Sequence, residues 1–328
     1  MNAPSMTMRS FIVGVAIGAA LLSLPAFADL PPAMARVGVL NPQTASTSME
    51  DALRQGLSQL GYVEGRNIAI EWRRSAGTAE EMRAMATDLV KLRVDIIVAM
   101  GSPATRAALD ATTKPIVFLA GDPVASHFAA SLARPGGNAT GVSVVYSELV
   151  MKHLELLHEL VPRAKRIIVL TNLSNPGTPP SQEKLEQAAT KLGVQLVTLT
   201  AGNTAEVNTA IHGISRSAGD AVLVSGDLLI LANRYKIAHA VRKAKLPAMF
   251  PFKQYHEAGV LMSYGPNYEA AMSQVATYVY RILKGAKPSE LPIEQVSKYE
   301  LVVNLQMARE LGIEIPQSIM VRADQVIK

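Results

Sequence analysis

From Arg36 onward, short apolar runs alternate with amphipathic stretches. Residues 36–40 (RVGVL) are few and β-branched, which predicts a buried strand. Residues 46–60 predict a helix that stops at Gly61, a residue type suited to the position beyond a helix end. Residues 67–72 alternate apolar with polar, as a strand does. A second helix is expected over 78–92, with Thr78 as its cap and Glu80 and Glu81 in its first turn. The stripe Met82, Met85, Leu89 marks its core face. Residues 95–100 (DIIVAM) predict another buried strand, and Gly101-Ser102-Pro103 opens a helix running to about Thr112. Residues 115–119 form a fourth strand, Gly121-Asp122-Pro123 turns the chain, 133–141 reads as loop and 142–145 as strand.

The rhythm then restarts. Helices are expected over 148–160, 180–192, 205–216, 228–244, 267–283 and 305–311. Strands are expected over 166–170, 194–199, 221–225, 248–250, 259–264 and 299–304. Strands separated by helices of this length need crossover connections, which predicts parallel sheets covered on both faces. The series occurs twice, near 36–145 and 148–264, as a repeat of architecture rather than of sequence. The expectation is an α/β protein of two Rossmann-like lobes. Ligands in such lobes bind at the carboxyl ends of the strands, so the site is expected in the cleft between them.

Composition narrows the function. With 328 residues, 49% of them hydrophobic, there is material for two packed domains and none of the signature of global disorder. The net charge of +5 comes from scattered Lys and Arg with no basic stripe, so no nucleic-acid partner is expected. There is no cysteine, which excludes disulfides, thiolate metal sites and thiol nucleophiles. His153 and His158 are five apart, not the i, i+4 spacing of a zinc helix, so neither a metal nor a cofactor is expected. The sequence has no G-x-S-x-G, H-E-x-x-H, Walker loop or G-x-G-x-x-G after a strand, and GGNATG (136–141) precedes a strand instead of following one. A secreted enzyme is therefore the weaker reading.

The N-terminus reads as an address. Arg9 precedes the apolar run 11–24, which is shorter than the ~20 residues of a span. Pro25-Ala26-Phe27-Ala28 then fits signal cleavage, with Asp29 as the mature start. Residues 1–28 are thus expected to be a signal peptide, and the mature protein a periplasmic monomer that does not span the membrane. A leader rather than DNA-binding helices precedes the first strand, which argues against a repressor.

Several stretches resemble the ABC-transporter substrate-binding family with the type I periplasmic-binding-protein fold, the family with proposed tryptophan and tyrosine binders. They are GSPATRAALDATTKPIVFLAGDPV (101–124), SLARPGGNATGVS (131–143), EAGVLMSYGPNY (257–268), the long block 282–318 and RADQVI (322–327). One departure is Gly259-Val260, where the family often has a Gly-Gly pair. The resemblance implies a three-segment hinge near 139–145, 264–267 and 292–299. It places 29–145 plus about 267–291 in the first lobe, and 146–266 plus about 299–328 in the second. It further implies an extracytoplasmic protein that captures a small-molecule ligand and delivers it to an ABC transporter permease. A sensor presenting its ligand to a membrane receptor is the alternative.

The candidate ligand contacts lie in loops at the carboxyl ends of the predicted strands. In the first lobe they are Asn41 and Thr44, then Ser102 and Thr105, then Asp122. The helix opening at Ser102 presents free amides and a positive dipole end, which suit a carboxylate. Asp122 offers an acid to a ligand ammonium, or an Asx turn before Pro123. In the second lobe they are Asn172 and Asn175, then Asp227, which either receives an amine or caps the following helix. Phe252 and Tyr255 are aromatic candidates for stacking on a flat ligand, with core packing as the other reading. Trp72 reads as structural, and Arg73-Arg74 as a solvated surface pair. Together these point to a small organic solute bearing a carboxylate, such as an aromatic amino acid or a related acid.

Overall fold

The computed structural model describes residues 1, 34–43, 48–75 and 78–328. Thr44 and, Met1 apart, the leader read at 1–28 lie outside them. The first series of elements runs β1 (Ala35–Asn41), α1 (Ser48–Gln59), β2 (Ile68–Arg74), α2 (Ala79–Lys91), β3 (Ile96–Met100), α3 (Ser102–Ala111), β4 (Ile116–Gly121) and β5 (Ala139–Val144). The second runs α4 (Tyr146–Leu160), β6 (Arg166–Thr171), α5 (Thr178–Leu192), β7 (Gln195–Thr200), α6 (Thr204–Ala210), β8 (Ala221–Val224), α7 (Leu228–Ala232), α8 (Arg234–Lys243), β9 (Ala248–Phe250) and β10 (Met262–Pro266). The chain closes with α9 (Tyr268–Leu283), β11 (Glu294–Gln295), β12 (Tyr299–Asn304), α10 (Leu305–Leu311), α11 (Gln317–Arg322) and β13 (Gln325–Ile327).

The strands form two sheets, in the orders β11-β5-β4-β3-β1-β2 and β13-β12-β10-β9-β8-β6-β7. Every pairing is parallel except β10 with β12. Central strands are buried on both faces, as helix-covered parallel strands must be. In β3 the alternation is explicit. Ile96, Val98 and Met100 share a core with Leu53 of α1 and Val275 of α9. Ile97 and Ala99 share the opposite core with Leu89 of α2 and Ala104 of α3. The second sheet repeats the pattern: Ile167, Val169 and Leu223 pack with Leu154 of α4 and Leu185 of α5.

The chain crosses between the sheets three times: after β5, between β10 and β11 by way of α9, and between β11 and β12. Helix α9 lies against α1, where a Cβ on Gly56 would stand 2.7 Å from the Ala276 methyl. This is the α/β architecture of two parallel-dominated sheets that the pattern predicted, with the three connections that the family resemblance implied.

Details differ. The helix read over 228–244 is two, broken at Asn233, whose side chain donates to the Leu229 carbonyl. The strand read over 259–264 begins only at Met262, because a 3-10 turn over Lys253–Ala258 ends at Gly259 with φ +70°. Residues 139–141, read as the end of a loop, already pair with β4 from Ile116 to Phe118. Arg74 is no free surface cation. Its guanidinium holds the buried Glu50 carboxylate through two hydrogen bonds of 2.6 and 2.9 Å.

Candidate functional site

β1, β3 and β4 end side by side at Asn41, Met100 and Gly121, and β6 and β8 end at Thr171 and Val224. Parallel strands deliver their carboxyl ends, and the helix starts that follow, to one edge of each sheet. Between those two edges lies a cavity with about 1220 Å³ of empty space, counting its open mouth. Its lining comes from both sheets, including Ser102, Gly121 and Tyr146 on one side and Thr171, Asn172 and Asp227 on the other. The edges are in contact: Ser126 Oγ donates to the Pro176 carbonyl at 3.4 Å, and Leu228 packs on Gly101.

Asp227 is the acid of the cavity. One carboxylate oxygen accepts the Ile230 amide at 3.0 Å, which caps α7. The other accepts the side-chain amides of Asn172 at 3.1 Å and Asn175 at 2.7 Å. Burial pushes its carboxyl above the usual carboxylate range, while these donors oppose the shift. Asn175 passes the network on, its Oδ1 accepting the Gly177 amide at 2.9 Å. Ser102 faces Gly177 across the cleft and accepts the Gly121 amide through its Oγ at 3.3 Å.

Three helices start at the cavity without a side-chain cap from their own N-cap residue, but in α4 Asp122 takes the Ser147 amide. α3 follows Gly101, whose φ of +86° aims the chain into the helix. α5 follows Gly177, but Pro179 and Pro180 carry no amide hydrogen in its first turn. α3, with the single proline Pro103 in its first turn against two in α5, is the better donor of backbone N–H groups to an anion. Among the described residues that line the cavity there is no lysine or arginine. A ligand carboxylate would thus meet amides and hydroxyls, and a ligand ammonium would meet Asp227.

The apolar lining is rich in methionine: Met49, Met82 and Met100, with Leu119, Val150 and Leu185. The thioether chain adapts to irregular shapes. Thr171 is fully buried in the lining and its hydroxyl has no partner. His153, on α4, gives Nε2 to the Tyr264 carbonyl at 2.5 Å, and burial pushes its imidazole down to about 4.

Of the residues expected from sequence, Ser102, Asn172, Asn175 and Asp227 line the cavity together. The others described lie off its lining. Asn41 donates to Glu50 at 2.7 Å behind Pro42. The Thr105 hydroxyl donates back to the Gly101 carbonyl at 2.9 Å. Asp122 accepts both the amide and the hydroxyl of Ser147, at 3.1 and 2.8 Å. Phe252 and Tyr255 are fully buried and pack with Phe250 and Tyr268. Sequence reading missed Tyr146, His153, Thr171 and Tyr268, and it took Met82 for core alone. Thr171 was within reach, since it directly follows the strand predicted over 166–170 and precedes Asn172. Nothing in the pattern singled out the tyrosines.

Known proteins resemble the chain in sequence and in fold. A sequence model of ABC transporter substrate binding proteins matches residues 38–327. A tyrosine-binding protein of Clostridioides difficile is 27% identical over 262 residues, covering 79% of this chain and 75% of that one. A conserved domain protein from Vibrio cholerae superposes with a TM-score of 0.82 at 31% identity, over 89% of this chain and 99% of that one. A domain from Streptococcus pneumoniae solved with L-Trp gives the same TM-score at 28% identity and the same coverage of both chains.

Proposed function

Because the chain belongs to the family of ABC transporter substrate binding proteins, we propose that it captures an aromatic amino acid between its lobes and hands it to a membrane permease. Asp227 carries the reading. It is the carboxylate among the described residues of a cavity that has no lysine or arginine and whose lining also includes an uncapped helix start. A zwitterion satisfies both ends: ammonium at Asp227, carboxylate at the Ser102 end of α3. The methionines and Leu185 take the apolar side chain. The tyrosine-binding relative and the L-Trp complex support the aromatic class.

The protein works outside the cytoplasmic membrane. The apolar run 11–24 followed by Ala26-Phe27-Ala28 supports export, and among the described residues no helix is long and apolar enough to cross a bilayer. Ligand binding favours the closed arrangement over an open one by making contacts to both lobes at once.

Calorimetry on the mature chain tests this with L-tryptophan, L-tyrosine, their deaminated acids and uncharged sugars. Both amino acids should bind. Removing the ammonium should weaken binding by roughly tenfold or more, the scale of one lost charged hydrogen bond. Binding of sugars alone, or equal binding of the deaminated acids, would overturn the assignment.

A further inference from the structure

Tyr146 stands where the two lobes and two of the three connections meet. It is the first residue of α4, directly after β5. Its ring fills the space above two glycines from different sheets. A Cβ on Gly121, at the end of β4, would lie 2.7 Å from its Cδ2, and one on Gly226, beyond β8, would lie 2.0 Å from its Cε1. Its hydroxyl bonds that of Tyr268, the first residue of α9 and so of the second connection. Burial raises both phenols above their ordinary range, so the pair stays neutral. The backbone beside the ring is tied to the first sheet, because Asp122 holds Ser147 by two hydrogen bonds. The helix that Tyr146 begins packs instead on the second sheet. The same ring lines the ligand cavity.

We propose that Tyr146 is the positioning residue that couples an occupied cavity to lobe closure, its ring wedged against Gly121 and Gly226 and its hydroxyl latched to Tyr268. The inference rests on the solute-clamp reading. Asp122 and Ser147 hold the ring to the first lobe, and Gly226 of the second lobe comes to it on closing. Gly226 must lack a side chain, since a Cβ there would overlap the ring edge. A ligand packed on the ring removes its freedom to turn away, so the surface that receives Gly226 is ready before the lobes meet. The Tyr268 ring packs on Phe252 beyond β9 of the second sheet, which carries the latch into the second lobe, so the hydroxyl pair sets how long the clamp stays shut. Asp122, on this view, serves the anchor rather than the ligand.

Small-angle scattering with and without L-tryptophan, together with stopped-flow binding, tests the wild type against four variants. Tyr146→Phe keeps the wedge and loses the latch, so dissociation should quicken by roughly five- to tenfold with association little changed. Gly226→Ala should stay expanded in the presence of ligand, and Gly121→Ala, which meets the ring from the other lobe, should shift the same way. Tyr146→Ala, which loses both the wedge and the latch, should compact less than the wild type when ligand is added. A Gly226→Ala or a Tyr146→Ala protein that compacts on ligand addition like the wild type would overturn the proposal. If the wild type binds no amino acid, the solute reading fails by itself. The coupling then stands or falls on ligand-free scattering, where the wild type should be more compact than Gly226→Ala.

Discussion

At Asp227 the acceptors are already engaged by Ile230, Asn172 and Asn175, all of them donors. An amide in its place would aim a donor at two side-chain amides whose own oxygens are committed to the amides of Ser174 and Gly177. Asp227→Asn should therefore destabilise the fold by about 1–3 kcal/mol in urea titrations, besides weakening an amine-bearing ligand. His153 makes a pH prediction. Its imidazole falls from an ordinary value near 6.5 to about 4 because burial disfavours the charged form. The unfolded chain then binds the extra proton between those values, so stability is full above about pH 6.5 and is lost as pH falls toward 4. The loss is on the order of 3 kcal/mol. The thermal midpoint should drop over that window, and a His153→Gln variant should drop less. Raised Asp122 and Asp227 carboxyls act in the opposite sense at acid pH, so the contrast between wild type and variant is the informative quantity.

Among elements, the strands and helices followed from local chemistry wherever caps and periods agreed. Thr78 accepts the Glu81 amide at the start of α2, Asn267 accepts that of Ala270 in α9, and Gly193 ends α5 with φ +66°. Local pattern failed where a side chain or pairing overrode it. Asn233 interrupts a run that is apolar enough to continue as helix, and β12 pairs antiparallel with β10 although nothing in its own residues marks direction. β11 has two residues and exists only because β5 offers an edge. The α1–α9 contact yields a prediction at this scale. Ala276 leaves almost no room against Gly56. Ala276→Leu should thus lower stability by about 1–3 kcal/mol through overpacking, read as a lower urea midpoint with unchanged slope.

For the whole molecule, a ligand bound in the cavity, which is lined from both sheets, would cross-link them. At a hundredfold excess over its dissociation constant, an amino acid bound as proposed should stabilise the fold by about 2.7 kcal/mol. The gain should appear in calorimetry as one upward-shifted transition, because melting either lobe destroys the site. Hydrophobic period and turn chemistry were enough for two α/β series and for a cavity at strand ends, because each depends on residues within a few positions of one another. The same locality picked out Ser102, Asn172, Asn175 and Asp227, each beside a predicted strand end or helix start. What needed tertiary structure was every choice made over long separation. Examples are Asp122 turned to Ser147, Phe252 and Tyr255 drawn into the core, and Tyr146 set between Gly121 and Gly226. Such choices depend on which surfaces the three crossings bring face to face, and no periodicity along the chain encodes that meeting.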